Sequence, residues 1–240
     1  MSLSLYKQKR SFDATPEPGP KVKSSKSGLK FVVQKHDATS LHYDFRLEME
    51  GVLKSWAIPK GPSLNPEDKR LAMMVEDHPY DYKDFEGIIP EGNYGAGTVI
   101  VWDEGEYGSM DNEDKPQREQ EKILLSQLYK GDVKISLHGK KLKGTFALVK
   151  MKGRGENAWL LIKKKDKWAT DEDITQKNKS VKSKKTIEQL AKDKNAKEWI
   201  SNKKATRTKS PSGKSLVKKT AKPILLSEQK TKAVKKKSAR

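Results

Sequence analysis

Eight short segments of β-strand character follow one another along the chain, each bounded by turn residues. Closely spaced short strands of this kind are typical of β-barrels and β-sandwiches. Glycine-containing stretches at 138–144 and 152–156 separate the later segments as hairpin turns do, which favours antiparallel pairing. We therefore predict a mainly β fold, a compact antiparallel β-barrel of about eight strands. The segments are Leu29–Gln34, Leu41–Glu48, Val52–Ile58, Arg70–Glu76, Thr98–Asp103, Asp132–Leu137, Gly144–Lys150 and Ala158–Lys164.

One or two short helices are expected beside the strands. The first is predicted over Lys115–Lys130, where Pro116 suits a first helical turn and apolar residues recur at helical spacing. Gly131 suits the end of this helix. A second helix is predicted over Ser183–Ile200.

The positive charge is concentrated near the C-terminus. The net charge is +19, and residues 203–240 contribute 14 lysines and arginines against one acid, Glu228. This stretch has few apolar side chains to bury, so it is expected to be a disordered basic tail. Residues 1–28 are rich in lysine, proline, serine and glycine, and we predict an N-terminal arm that contributes to the active site. Residues 29–170 form the predicted barrel domain and residues 171–202 a partly helical linker.

Composition limits the partners and the chemistry. An excess of basic residues with an isoelectric point near 9.7 indicates a polyanionic partner, either nucleic acid or an anionic membrane surface. No stretch approaches the roughly 20 apolar residues that span a bilayer, and the N-terminus does not resemble a signal peptide. We therefore expect a cytoplasmic protein without a membrane partner. The chain has no cysteine, so a metal site must use histidines and carboxylates.

One predicted strand carries unusual residues on its polar face. Apolar and polar residues alternate from Leu41 to Glu48, which places His42, Asp44 and Arg46 on one face. Strand neighbours two residues apart lie about 6–7 Å from each other, so His42 and Asp44 can converge on one ion. His36, six residues upstream, can supply a third ligand. Two imidazoles and one carboxylate suit divalent manganese, iron, cobalt or zinc, although ordinary surface histidines remain an alternative at this point.

Several basic residues near this strand suit a phosphate ligand. Arg46 shares the face of the predicted metal ligands, and a guanidinium can bind two phosphate oxygens at once. Lys60 and Arg70 flank the turn at 61–66; they add charge to the same pocket or are ordinary solvated residues. His78 and Tyr82 lie in a predicted loop, where His78 could bind phosphate as an imidazolium or protonate a leaving oxygen.

Two other features are interpreted as structural. The run 85–97 is rich in glycine but lacks the Gly-Lys-Ser/Thr ending of a nucleotide-binding P-loop, so we predict turns there. His138 lies at a predicted hairpin corner. We expect it to have a structural role rather than to bind a metal.

The chain resembles a known family at these residues: the 3′-phosphoesterase domain of bacterial DNA ligase D and its free-standing relatives. The resemblance covers about residues 9–168 in an ordered series of motifs, which makes it far more specific than any single motif. The matching stretches are Phe31–Thr39, Leu41–Leu47, Lys54–Pro62, Val75–Pro79, Phe85–Gly97, Leu142–Val149 and Trp159–Lys163.

The resemblance implies a β-barrel enzyme that uses manganese to remove 3′-terminal ribonucleosides and 3′-phosphates from primer-template DNA ends. It implies metal ligands at His36, His42 and Asp44 and phosphate contacts at Arg46 and His78. It further implies active-site roles for Lys60, Arg70, Tyr82, Arg10 and Glu17. The family has aspartate where this chain has Ser11, which leaves the balance between ribonucleoside removal and phosphatase activity open.

Nothing in the chain resembles a ligase nucleotidyltransferase or a polymerase, so we expect a free-standing relative that works with separate ligase, polymerase or end-binding repair proteins. DNA 3′ ends are the expected substrate, and a cytoplasmic, nucleoid-associated location follows. Two alternatives stay open: a non-haem iron oxygenase, since two histidines and a carboxylate also suit that chemistry, and a DNA-binding accessory without catalysis.

Overall fold

The computed structural model describes residues 3–25 and 27–196 and contains a closed antiparallel barrel. Eight strands pair in the order β1-β2-β3-β4-β9-β8-β7-β6, and β6 pairs back with β1 to close the barrel. The predicted mainly β barrel is thereby confirmed. The strands are β1 Leu29–Asp37, β2 Leu41–Met49, β3 Val52–Ile58, β4 Lys69–Pro79, β5 Gly87–Ile89, β6 Gly97–Ser109, β7 Asp132–Gly139, β8 Lys143–Lys150 and β9 Ala158–Lys163.

Two differences from the predicted strands concern the glycine-containing regions. The prediction of turns throughout 85–97 was wrong for β5, because Gly87–Ile89 pairs with the first residues of β6. The strand β6 is also longer than predicted and continues through Gly105 and Gly108. At Gly105 the neighbouring strand approaches so closely that a Cβ would overlap the carbonyl oxygen of His138. Glycine is required there by close backbone approach and does not end the strand.

Three α-helices lie outside the barrel among the described residues: α1 Ser4–Gln8, α2 Gln117–Lys130 and α3 Ile187–Ala191. The predicted helix at 115–130 is confirmed, and Gly131 follows it with a positive φ of 78°. The predicted helix at 183–200 was too long, because Thr186 caps the N-terminus of α3 and α3 ends at Ala191. Residues 197–200 of that prediction, and the predicted tail at 203–240, lie outside the described residues. No helix in the described part of the chain is long and apolar enough to cross a membrane.

The barrel is filled from inside by the residues that alternate inward. Tyr43, Phe45 and Leu47 of β2 join Trp56, Trp102 and other buried side chains in one core. The opposite face of β2 is therefore the outer face of the barrel.

Part of that outer face is covered by a second apolar cluster. Tyr6 of α1, itself fully buried, packs there with Tyr82, Phe85 and Ile89 from the segment that follows β4. A short 3₁₀ helix, Tyr80–Asp84, starts this segment. The N-terminal residues and the segment 80–96 thus enclose a cavity against the outside of β1–β4.

Residues after the barrel also pack on it. A second 3₁₀ helix, Ile174–Gln176, contributes Ile174 to the main core. Farther along, Val181 packs on Val32 and Val101, while α3 buries its apolar side chains against Ile100. This arrangement places further structure beside the strand ends that carry His36 and His42.

Candidate active site

Three predicted metal ligands meet on the outer face of β1 and β2. His36 and His42 are directly opposite each other in the strand pair, and one ligand atom from each of His36, His42 and Asp44 lies within 4.8 Å of the others. The distances to the Asp44 carboxylate oxygens are 3.8 Å from His36 Nδ1 and 3.8 Å from His42 Nε2. The short turn between β1 and β2 brings His36 back over the strand that carries the other two.

The protonation of this cluster suits a divalent cation. His42 Nδ1 lies 2.8 Å from the Ser40 carbonyl oxygen, which can only accept, so Nδ1 carries a proton and Nε2 is the ring nitrogen that faces Asp44. Burial raises the pKa of Asp44, but Arg46 and His36 outweigh it and hold this pKa well below its usual range. His36 Nε2 is buried and has no hydrogen-bond partner. Two imidazoles, an ionised carboxylate and an unpaired ring nitrogen are a donor set that fits a metal ion.

Arg46 lies beside the cluster and is almost fully buried. Its Nη2 donates to Asp44 Oδ2 at 3.0 Å, and its Nε donates to Gln34 Oε1 at 2.8 Å. Its Nη1 donates to Ser55 Oγ at 2.8 Å. A guanidinium has five N–H groups, so these three bonds fix its plane and leave two N–H groups for a ligand.

His78 lies on β4, on the other side of Ser55 from Arg46. Its Nδ1 is 2.9 Å from the Glu76 carbonyl oxygen and therefore carries the proton, while Nε2 accepts from Arg10 Nη2 at 3.1 Å. Burial, followed by the positive charges of Arg46 and Arg10, holds the pKa of His78 well below its usual value. His78 is thus a neutral acceptor in this arrangement; binding phosphate as an imidazolium and protonating a leaving oxygen both stay predictions.

The N-terminal arm supplies Arg10 and Glu17. Arg10 Nε donates to Glu17 Oε1 at 2.8 Å, and the Tyr82 hydroxyl donates to the same oxygen at 2.9 Å. A second carboxylate, Glu76, accepts from Arg10 Nη1 at 3.1 Å. The other Glu17 oxygen is buried without a partner. Ser11 is exposed, and its carbonyl oxygen accepts the N–H groups of Ala14 and Thr15.

These residues surround one cavity of about 250 Å³. Its walls carry two arginines, Arg10 and Arg46, and three carboxylates, Glu17, Asp44 and Glu76. Lys9 pairs with Glu76 at 3.0 Å, so three cations balance the three carboxylates and the walls carry no net charge. A bound divalent cation would make the cavity positive, so its electrostatics favour a metal and an anion together.

Two residues proposed from the sequence do not line this cavity. Lys60 is exposed in the turn after β3. Arg70, near the start of β4, lies two residues before the core residue Ala72 and therefore on the inward face of the strand. It donates to Asp68 at 2.8 Å. It lies on the opposite side of the sheet from His42. His138 is exposed and paired with Glu113 at 2.5 Å, away from the cavity.

Sequence reasoning missed four residues of the cavity region: Gln34, Ser55, Glu76 and Tyr94. For Gln34 a signal was present, since it lies two residues before His36 and therefore on the same strand face. Gln34 is fully buried, and its Nε2 donates to the Tyr82 and Phe85 carbonyl oxygens at 3.0 Å each. Ser55 lies directly opposite Arg46 in the β2–β3 hairpin, whereas Glu76 and Tyr94 reach the cavity from β4 and from the turn before β6, far from β2 in sequence.

The fold and this cavity define a class of protein: a small β-barrel with two histidines, one aspartate and Arg46 on its outer face, and a second arginine, Arg10, from the N-terminal arm. Residues 34–150 match the sequence model of the DNA ligase D 3′-phosphoesterase domain. The chain belongs to this family, and the matched residues include the candidate metal ligands, Arg46 and His78.

Multifunctional non-homologous end joining proteins named LigD are similar over the same region. The Pseudomonas aeruginosa protein is 52% identical over 167 residues, 68% of this chain and 19% of that protein. The LigD DNA repair protein of Mycobacterium tuberculosis is 42% identical over 159 residues, 66% of this chain and 19% of that protein. The chain thus spans about a fifth of the length of these relatives.

Proposed function

We propose that this protein is a metal-dependent phosphoesterase that processes DNA 3′ ends during break repair, removing 3′-phosphates and 3′-terminal ribonucleosides. The observation that carries this proposal is the direct bond between Arg46 and the carboxylate of Asp44. It holds a phosphate-binding guanidinium beside a candidate metal ligand in one cavity. The family match supplies the substrate, a phosphoester at a 3′ end.

A divalent ion held by His36, His42 and Asp44 would supply a Lewis acid and a water of lowered pKa. The protein's own groups bind and orient the substrate. The two unused N–H groups of Arg46 suit two oxygens of one phosphate, and Arg10 adds a second positive charge. Glu17 accepts a hydrogen bond from Arg10 and is itself held by the Tyr82 hydroxyl, so the two residues position Arg10.

His78 changes its protonation state when phosphate binds. It is neutral beside two arginines, and a phosphate dianion placed between those arginines would offset their charges. The pKa of His78 then rises, so that Nε2 can take up a proton and donate it to a phosphate or leaving oxygen. Lys60 and Arg70 do not line this cavity, and their roles in the active site stay predictions.

Manganese is our proposed metal. The donor set accepts several divalent ions, and the family resemblance selects manganese among them. We further propose DNA primer-template ends as the physiological substrate, separate ligase, polymerase or end-binding proteins as partners, and a cytoplasmic, nucleoid-associated location. The relatives' name, non-homologous end joining, supports this setting.

The test uses a labelled primer-template with either a 3′-phosphate or a terminal ribonucleotide, across manganese, magnesium, cobalt, zinc and iron. Wild-type protein should produce a 3′-hydroxyl end with manganese. His42→Ala should lose more than about 100-fold in kcat and bind manganese more weakly in calorimetry, because a metal ligand is removed. His138→Ala is the matched control and should behave as wild type.

Equal activity of His42→Ala and wild type would rule out the metal assignment. Turnover that requires iron and a 2-oxo acid, with the DNA end unchanged, would instead support an oxygenase. If the protein removed the 3′-phosphate but not the terminal ribonucleoside, we would attribute the missing activity to Ser11. Ser11→Asp should then restore ribonucleoside removal.

A further inference from the structure

An exposed aromatic ring lies at the mouth of the cavity, on the glycine-rich turn before β6. Tyr94 lines the cavity together with Asp44 and His78, yet 50% of its side-chain surface is exposed. The next residue, Gly95, lies against the metal cluster, since a Cβ built on it would be 3.8 Å from His36 Cε1. The turn that carries Tyr94 is therefore close to a candidate metal ligand.

The backbone of this turn is held tightly. Gly97 has a φ of 142°, and a Cβ there would overlap the carbonyl oxygen of Asp37 at the end of β1. No other residue fits this approach without moving the β1–β2 turn. The end of the turn that carries Tyr94 therefore lies directly against the end of β1.

The ring of Tyr94 is also held by the N-terminal arm. Lys9 Nζ donates to the Tyr94 hydroxyl at 3.2 Å and lies 4.6 Å from the ring centroid. The same ammonium group pairs with Glu76 at 3.0 Å, and Arg10 Cζ is 5.5 Å from the ring centroid. The side chain is positioned by these contacts while half of its surface stays open, as in a preformed binding surface.

We propose that Tyr94 is a stacking platform for a nucleobase at the 3′ end of the substrate strand. This inference rests on the proposed function and adds a nucleobase subsite to it. The cavity interior holds Arg46 and the candidate metal ligands, so a phosphate bound by them has its base toward the mouth. An aromatic face stacks on any base, which suits an enzyme that must accept DNA ends of every sequence.

The test compares two primer-templates with a 3′-phosphate, one ending in an ordinary nucleoside and one ending in a tetrahydrofuran abasic analogue. Tyr94→Leu should raise KM for the ordinary end by about 5- to 100-fold, the range for loss of one base–aromatic stack, with kcat unchanged. Tyr94→Phe keeps the ring and should behave as wild type. Tyr129→Leu is the matched control, because Tyr129 is 82% exposed on α2 and outside the cavity.

The abasic end separates stacking from a general effect on the site. Wild type should already show the raised KM on it, and Tyr94→Leu should add nothing further, since the partner of the ring is missing. Equal losses on both substrates would overturn the nucleobase subsite. Dissociation constants measured in a chelator should follow the same pattern without turnover. If they do while wild type hydrolyses neither substrate, the proposed function fails and the subsite stands.

Discussion

Arg46 is a positive charge that has been taken almost completely out of water. A buried guanidinium is stable only when its N–H groups have partners, and the three that it uses come from Gln34, Ser55 and Asp44. Of these, Gln34 is the one that also binds the segment covering the cavity, through its bonds to the Tyr82 and Phe85 carbonyl oxygens. Gln34 therefore ties the position of Arg46 to the position of that segment.

Two replacements of Gln34 should separate the contribution of its amide oxygen, which binds Arg46, from that of its amide nitrogen, which binds the covering segment. Gln34→Leu removes the acceptor of the Arg46 Nε–H and the donor to the Phe85 carbonyl oxygen, while the Tyr82 carbonyl oxygen keeps the Phe85 N–H, so we expect the free energy of unfolding to fall by about 2–4 kcal/mol. Activity should fall as well, because the plane of Arg46 is no longer fixed. Gln34→Glu keeps an acceptor for Arg46 but cannot donate to the carbonyl oxygens. Urea unfolding and 3′-phosphatase kinetics measure both effects.

We expect Gln34→Glu to recover part of the lost kcat while it stays destabilised. If Gln34→Leu retained wild-type kcat at a temperature where it is folded, the positioning role of Gln34 would be refuted. If Gln34→Glu were as stable as wild type, the bonds to the covering segment would be energetically unimportant.

Among the elements, the orientation of the β2 side chains could be predicted from the sequence, because side chains in a strand alternate between its two faces. The alternation from Leu41 to Glu48 placed Tyr43, Phe45 and Leu47 inside and the polar residues outside, as the burial of the core confirms. The same reasoning could not reveal that the polar face is covered, since this depends on contacts between residues far apart in sequence. The same reasoning also could not exclude Arg70 from the candidate site, because the inward orientation of Arg70 follows from the observed register of β4 with β9.

The N-terminal arm was the element whose packing was hardest to predict from the sequence. Its lysine, proline and serine content is that of an exposed segment, yet Tyr6 is fully buried and donates its hydroxyl to the Pro18 carbonyl oxygen at 2.6 Å. The ring of Tyr6 also lies 5.2 Å from the ring of His78. One aromatic side chain thus anchors the arm that delivers Arg10 to the cavity.

Tyr6→Ala should therefore detach the arm and leave the barrel folded. Removal of a buried aromatic ring costs about 3–5 kcal/mol, which exceeds what a short arm with one small helix is expected to gain by docking. We expect faster hydrogen exchange and proteolysis within residues 3–25, a large loss of kcat and an unchanged exchange rate in β7–β9. Tyr6→Phe, which loses only the bond to Pro18, is the conservative comparison and should keep most of the activity. Unchanged protection of the arm in Tyr6→Ala would contradict this account.

For the whole molecule, charge and catalysis are carried by different parts of the chain. Residues 203–240 hold a net charge of +13 out of +19, so only +6 belongs to residues 1–202. The candidate active site lies entirely within the latter. Attraction of a basic segment to DNA arises from counterion release, which has no sequence preference and weakens as salt rises.

Deletion of residues 203–240 should consequently change binding without changing chemistry. We expect a higher Kd for primer-template DNA and a shallower dependence of log Kd on log salt, since each lost phosphate contact lowers that slope by about 0.9 for duplex DNA. The value of kcat at saturating substrate should be unchanged. Replacement of the tail lysines and arginines by glutamine, with the length kept, is the control and should reproduce the deletion if charge alone is responsible. A protein that served only as a DNA-binding accessory would instead lose its whole effect with the tail, and a fall of kcat to background in both variants would favour that alternative over a catalytic barrel.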